Sequence, residues 1–361
     1  MYVHFAAKRL LYRFPLLGRI YAQSSIRRAI RTLFFRITSY VPIVYVELTS
    51  ICNAACIFCP YPVISKSGKK LQAMLPSTFD VTVERIREAR VHFVNMTPTT
   101  GEILASPFWD TAIAQIAGIP TVRRVHFYSN GILLSADSQR RLLRIADFEK
   151  LALSFSTGGA SPEQYKRLFG VDRFAKVRAN LRRLFAALAE RNARIPVSVE
   201  VRLGRDDPAL AISEVARVYG VDQYRWGGVN IRRIYDPIGG IVNDSRLDYS
   251  VAKIKRKPCQ LLGDTRFAAD GSVWVCGCAV SEQPGDTSLR IGRHDSPAAE
   301  IAANRQRLVA DWAPGNIPKP CLDCASYYLP FKGWHPDARP MFDDALRERR
   351  ARDHNGPANS P

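Results

Sequence analysis

Val44-Tyr45-Val46-Glu47-Leu48-Thr49-Ser50-Ile51-Cys52-Asn53-Ala54-Ala55-Cys56-Ile57-Phe58-Cys59-Pro60 begins as a short β-branched strand and ends as a loop carrying C-x3-C-x2-C. Three thiolates on one loop can hold three irons of a [4Fe–4S] cube and leave the fourth iron open, whereas a structural zinc site takes four closed ligands. The missing fourth ligand is therefore the informative feature of this loop.

Beyond that loop, short β-rich runs alternate with helical ones. The pattern predicts strands near 44–48, 91–96, 124–128, 150–155, 196–203 and 224–232, and helices near 80–90, 107–117, 136–146, 161–168, 174–192 and 208–218. Regular alternation implies right-handed βαβ units and a parallel sheet. The fold class is α/β, a partial (β/α)6 TIM-like barrel, with functional residues on the loops after the strand C-termini. Past Tyr235 the alternation stops. We divide the chain into a basic segment at 1–40, the barrel at 41–235, a small second domain at 236–335 and a frayed tail at 336–361, where the sequence becomes charged and then rich in Gly, Pro, Asn and Ser.

Composition narrows the function classes. The 361 residues exceed one ordinary domain, and 47% hydrophobic with 24% charged residues excludes global disorder. The 52 Lys and Arg against 33 Asp and Glu leave +19, which favours anionic partners: phosphorylated substrates, membrane surfaces or nucleic acid. No apolar run reaches the ~18 residues of a membrane span. The first 46 residues hold eight basic residues and no acid, and Ile26, Ile30, Leu33, Phe34 and Ile37 recur at helical spacing opposite Arg27, Arg28 and Arg31. This basic amphipathic helix could pack on the barrel, lie peripherally on an anionic membrane surface, or belong to an organelle leader.

All eight cysteines fall in two groups, and none lies between 60 and 258. Without a secretory signal pattern, that clustering reads as metal ligation in a reducing compartment, and so as a cytoplasmic protein. In the second group, Cys259 precedes a hairpin whose Asp270-Gly271 turn joins Thr265–Ala268 to Ser272–Val275, and Cys276 follows it. Cys321 and Cys324 close a C-x2-C pair. Four thiolates suit one closed cluster, with zinc as the other reading. Cys278 is left over, as a spare or interchangeable ligand or as a thiol free for chemistry.

The first loop resembles the signature of the radical S-adenosylmethionine (SAM) superfamily, C-x3-C-x-aromatic-C after the first barrel strand, with Phe58 as the aromatic. The resemblance implies that Cys52, Cys56 and Cys59 hold a [4Fe–4S] cluster whose open iron is chelated by SAM. An electron from the reduced cluster, supplied by a donor such as flavodoxin or ferredoxin, then yields a 5′-deoxyadenosyl radical. Gly101 and Glu102 fit the family's Gly-Gly-Glu segment, where backbone approaches SAM and the acid receives its ammonium, although Thr100 replaces the first glycine. Ser129 and Asn130 resemble the segment near the nucleoside. Ser154 matches a segment facing the SAM ribose or carboxylate, with Ser156 in place of that segment's acid. Arg202 would pair with the SAM carboxylate. The second group resembles the SPASM/twitch auxiliary domain, implying one further [4Fe–4S] cluster on Cys259, Cys276, Cys321 and Cys324. By the same resemblance, Cys278 would be a hydrogen-atom donor, as in epimerases of that branch.

These readings point to an oxidoreductase or epimerase that takes hydrogen from a small polar substrate, carbohydrate-like and in some forms anionic. Peptide modifiers of this kind often carry a leader-binding domain, for which 40 residues before the first strand are too few. A non-catalytic metal or nucleic-acid module is the reading from another class. Neither cysteine group has histidines at finger spacing, and no nucleic acid is expected.

Overall fold

The structure, a computed structural model, describes residues 42–96, 100–238, 240–251, 255, 258–277, 285–312, 316–322 and 324–327. The basic segment at 1–40, Cys278 and the tail at 336–361 lie outside the described residues.

The six predicted barrel strands are present as β1 (Val44–Val46), β2 (Phe93–Asn95), β3 (Arg124–Ser129), β4 (Leu151–Gly158), β5 (Val197–Arg202) and β6 (Gly227–Arg232). They pair in chain order, each parallel to the next. Sequential order with right-handed crossovers puts every connecting helix on one face, and the sheet curls around the other. The helices after Cys59 are α1 (Tyr61–Ile64), α2 (Pro76–Glu88), α3 (Trp109–Ala117), α4 (Ala136–Leu143), α5 (Pro162–Phe169), α6 (Phe174–Glu190) and α7 (Ile212–Tyr219). Their boundaries have local causes. Pro162 opens α5 behind Ser161, whose Oγ accepts the Gln164 N–H at 3.3 Å, and Gly170 closes it at φ +68°.

Strand β5 shows how sequence sorts the two faces. In Val197-Ser198-Val199-Glu200-Val201-Arg202 the valines are at most 2% exposed and join the helix-covered core, while Ser198, Glu200 and Arg202 point the other way. Burying each valine contributes about 1.5–3 kcal/mol, and a one-residue slip would forfeit all three.

The barrel does not close. β1 pairs on its far side with β9 (Thr265–Phe267), not with β6, and β10 (Ser272–Val275) and β11 (Arg290–Arg293) continue outward, giving the order β11-β10-β9-β1-β2-β3-β4-β5-β6. A separate pair, β7 (Ile234–Tyr235) and β8 (Asp248–Tyr249), follows β6. The second cysteine region thus shares the barrel's sheet. Arg266 of β9, 1% exposed, meets Glu47 at 3.6 Å and lies over the Trp274 ring at 5.6 Å. The helix α8 (Ala298–Trp312) covers this extension, with Arg305 donating to the carbonyls of Leu262 and Asp264 at 2.7 and 2.8 Å. The short α9 (Lys319–Leu322) carries Cys321.

Candidate active site

The loop after β1 is fastened from three sides. Ala55 and Ile57 donate backbone N–H groups to Phe169 and Leu168 at the end of α5, both at 3.0 Å. Gly170 must be glycine there, because a Cβ would come within 2.7 Å of the Ala55 carbonyl oxygen. Asn130, after β3, reaches Asn53 Oδ1 at 2.7 Å and Cys52 Sγ at 3.8 Å with its amide. The Tyr61 N–H points at Cys59 Sγ at 3.5 Å.

Cys52, Cys56 and Cys59 are free thiols, and they lie close enough that Cys59 raises the pKa of Cys52 and both raise that of Cys56. Burial is the main cause, taking Cys52 up to about 12 and Cys59 to about 11, while Arg202 lowers Cys56 and Cys59. Such thiols ionise readily only against a cation, and bound iron supplies one.

Phe58 is wedged between Tyr235, stacked at 5.6 Å, and Phe169, edge-on at 5.3 Å. The Arg202 guanidinium sits 5.2 Å from the Phe58 ring centroid, and its Nε reaches Ser156 Oγ at 3.3 Å. Glu102, 2% exposed, accepts N–H groups from Asn130 at 2.7 Å and Leu104 at 3.2 Å. Burial raises its pKa against those bonds and one from Ser129. The Ser129 hydroxyl also accepts the Gly131 N–H at 3.0 Å. Gly101 has φ +90°, and the space a Cβ would take is filled by the Thr49 carbonyl oxygen at 2.0 Å. Thr100 is buried. Thus Phe58, Gly101, Glu102, Ser129, Asn130 and Arg202 gather around the cysteine loop. Ser154 lies deeper in the barrel, bonded to His126 Nε2 at 2.9 Å and Ser198 Oγ at 2.8 Å.

The four thiols of Cys259, Cys276, Cys321 and Cys324 also converge. Cys321 is raised by burial and then by its three neighbours, and Cys324 rises to about 12. Cys276 occupies the left-handed region at φ +64°, turning its side chain off the end of β10. Among the described residues, no three His, Cys, Asp or Glu groups close around a single ion. Four gathered thiols are the donor set of a closed [4Fe–4S] cube and equally of one zinc ion. The two groups sit at opposite strand ends. Cys52 follows β1, whereas Cys259 precedes the parallel β9 and Cys276 follows the antiparallel β10.

Residues 46–197 match the model of the radical SAM superfamily. The barrel is a radical SAM domain. A radical SAM domain implies a [4Fe–4S] cluster and SAM, and the donor set of three loop thiols beside Glu102, Asn130 and Arg202 fits both. No curated protein matches the sequence. Among solved structures, Streptococcus suis SuiB bound to precursor peptide SuiA is 12% identical, with a TM-score of 0.52, covering 83% of this chain and 73% of that one. Native anSMEcpe with bound AdoMet is 13% identical at TM-score 0.50, covering 85% and 95%. BtrN in complex with AdoMet and 2-DOIA is 14% identical at TM-score 0.47, covering 81% and 98%. At these identities the likeness is one of fold. No helix among the described residues is long and apolar enough to cross a membrane.

Apart from Ser154, sequence reasoning missed the inner wall of the barrel. Asn95 Nδ2 lies 3.4 Å from His126 Nδ1, and the chain runs on through Ser154 and Ser198 to Glu200, whose Oε1 accepts from Ser198 at 3.3 Å and Asn230 at 2.7 Å. The signal was available as polar residues at every second position of β3 and β5.

Proposed function

We propose that this radical SAM enzyme removes a hydrogen atom from a small, polar, carbohydrate-like substrate seated in the barrel, completing an oxidation or an epimerisation. The observation that carries this is the hydrogen-bonded wall of Asn95, His126, Ser154, Ser198, Glu200 and Asn230 along β2 to β6. These groups are bonded to one another, and the acceptor left over at Glu200 Oε2 suits a hydroxylated substrate better than an apolar one.

When bound, the cluster on Cys52, Cys56 and Cys59 with SAM supplies a 5′-deoxyadenosyl radical. The chain does the rest. Glu102 and Asn130 lock the loops after β2 and β3 against the cysteine loop, fixing where SAM is held. Arg202, beside Phe58, offers a cation to the SAM carboxylate. Cys259, Cys276, Cys321 and Cys324 would hold an auxiliary [4Fe–4S] cluster, which would supply an electron acceptor for an oxidation. In an epimerisation, Cys278 returns a hydrogen atom instead. A flavodoxin- or ferredoxin-type protein is the electron source. The basic 1–40 segment would let the protein touch an anionic membrane surface from the cytoplasm.

A peptide substrate is the second reading, because SuiB, with bound precursor peptide, shares the fold. Anaerobically reconstituted enzyme, given SAM, dithionite and C-deuterated candidates, should place deuterium in 5′-deoxyadenosine for a polyol or sugar. Deuterium transfer from peptides alone would replace this reading with the second.

A further inference from the structure

Glu200 is a buried carboxylate that the cofactor chemistry does not use. It is 4% exposed at the middle of β5, on the face turned away from the helices. Its Oε1 is served twice, by Asn230 Nδ2 at 2.7 Å and by Ser198 Oγ at 3.3 Å. Its Oε2 is buried without a hydrogen-bond donor among the described residues, and its nearest cation is the half-exposed Arg232 guanidinium, Nε at 3.4 Å. A buried carboxylate oxygen left in that state costs about 1–3 kcal/mol, which a ligand donor would recover.

Resting on the reading of the barrel as the substrate site, we propose that Glu200 and Asn230 are the specificity-determining pair of the substrate site, binding an uncharged hydroxyl donor. The charges around the pair select the class. Arg232 already faces Glu200, and Arg202 stands two residues along β5 from Glu200, so an ammonium would add a third cation. A carboxylate would face Glu200 itself. A neutral hydroxyl donates to Oε2 and can accept from Asn230, and a neighbouring hydroxyl meets Ser198 and Ser154, which can donate or accept. His126, further along, is neutral above about pH 4 and adds no charge. The site therefore reads a polyol segment by its donors and rejects charged analogues by uncompensated burial. Arg232, on the outer strand β6, covers Oε2 from the unclosed side of the barrel and would swing outward as the hydroxyl enters.

The test uses reconstituted full-length enzyme with SAM, and isothermal titration with three neutral polyols (myo-inositol, glucose, mannitol), glucosamine and glucuronate. At least one neutral polyol should bind, tighter than both charged sugars. Glu200→Gln should weaken it about tenfold or more, the value of a hydrogen bond to a charged group. Asn230→Ala, at the outer strand where folding is least at risk, should weaken it several-fold. SAM cleavage with dithionite, measured on the same samples, keeps the two claims apart. Binding of no neutral polyol, preference for a charged sugar, or unaltered affinity in both variants overturns the proposal while intact SAM cleavage leaves the radical reading standing. Loss of SAM cleavage in the wild type would instead count against that reading.

Discussion

Glu102 Oε2 accepts the backbone N–H of Asn130 at 2.7 Å, so the loop after β2 holds the loop after β3, and Asn130 in turn reaches Cys52 with its side chain. A residue singled out for contact with SAM is thus also a structural brace. Glu102→Ala leaves the buried N–H groups of Asn130 and Leu104 without their acceptor, at about 1–3 kcal/mol. We expect a lower melting temperature in the iron-free protein together with weaker SAM binding. A variant that melts like wild type while losing SAM affinity would show that the brace contributes nothing.

Arg202 offers a separate handle on SAM. Its guanidinium lies over Phe58 and lowers the pKa of Cys56 and Cys59, so it stands between the cluster loop and the barrel mouth. Removing a charged donor to a carboxylate costs about 1.5–3 kcal/mol. Arg202→Ala should therefore weaken SAM binding by roughly tenfold or more, by equilibrium dialysis on reconstituted protein, and Arg202→Lys should recover only part. Equal affinity in all three would remove Arg202 from the SAM site.

Iron stoichiometry addresses the two thiol groups independently. With four iron per cube, reconstituted wild type should hold about eight iron per chain, and the variant with Ala at 52, 56 and 59 about four. Replacing Cys321 and Cys324 should leave about four as well, since both lie in the gathered set with Cys259 and Cys276. Four iron and one zinc in wild type would sink the auxiliary cluster.

What could be read in advance follows from which interactions are local. The β1 loop announced itself because its three cysteines lie within eight residues, and the strand and helix order followed from hydrophobic periodicity, as at the valines of β5. The reason for Gly101 was not visible, since the atom that excludes a Cβ belongs to Thr49 on another loop. Nor was the continuation of the sheet into β9, because the pairing of Val44 with Thr265 joins residues far apart in sequence. The polar wall went unread for a third reason. Arg124-Val125-His126-Phe127-Tyr128 and Ser198-Val199-Glu200 look like half-exposed strands, and only curvature turns their polar side inward.

Acid should expose that wall. Burial, with Arg124 nearby, depresses His126 from the ordinary 6.5 to about 4. The unfolded chain then takes up this proton at higher pH than the folded one does. Stability from this group is complete above about pH 6.5 and is lost as pH falls towards 4. Melting curves of wild type and His126→Asn across that range should show a steeper acid slope for wild type. Parallel slopes would mean that His126 titrates normally and that the wall is open to water.

Gly101→Ala separates backbone geometry from ligand chemistry. At φ +90° an L-residue is strained, and the added methyl would stand 2.0 Å from the Thr49 carbonyl oxygen and 3.2 Å from Ser50 Cα. Neither atom can yield alone, because Thr49 bridges to Ala73 and the Ser50 N–H is bonded to the Gln72 carbonyl at 3.0 Å. The displacement should pass along the chain to Cys52, three residues beyond Thr49, while the second thiol group, at the opposite strand ends, is spared. We expect reconstituted Gly101→Ala to lose the SAM-responsive electron paramagnetic resonance signal and roughly half its iron, yet retain the auxiliary signal. Full iron with a normal SAM response would show that the two loops part easily, and loss of both signals would show that the strain spreads through β1 into β9.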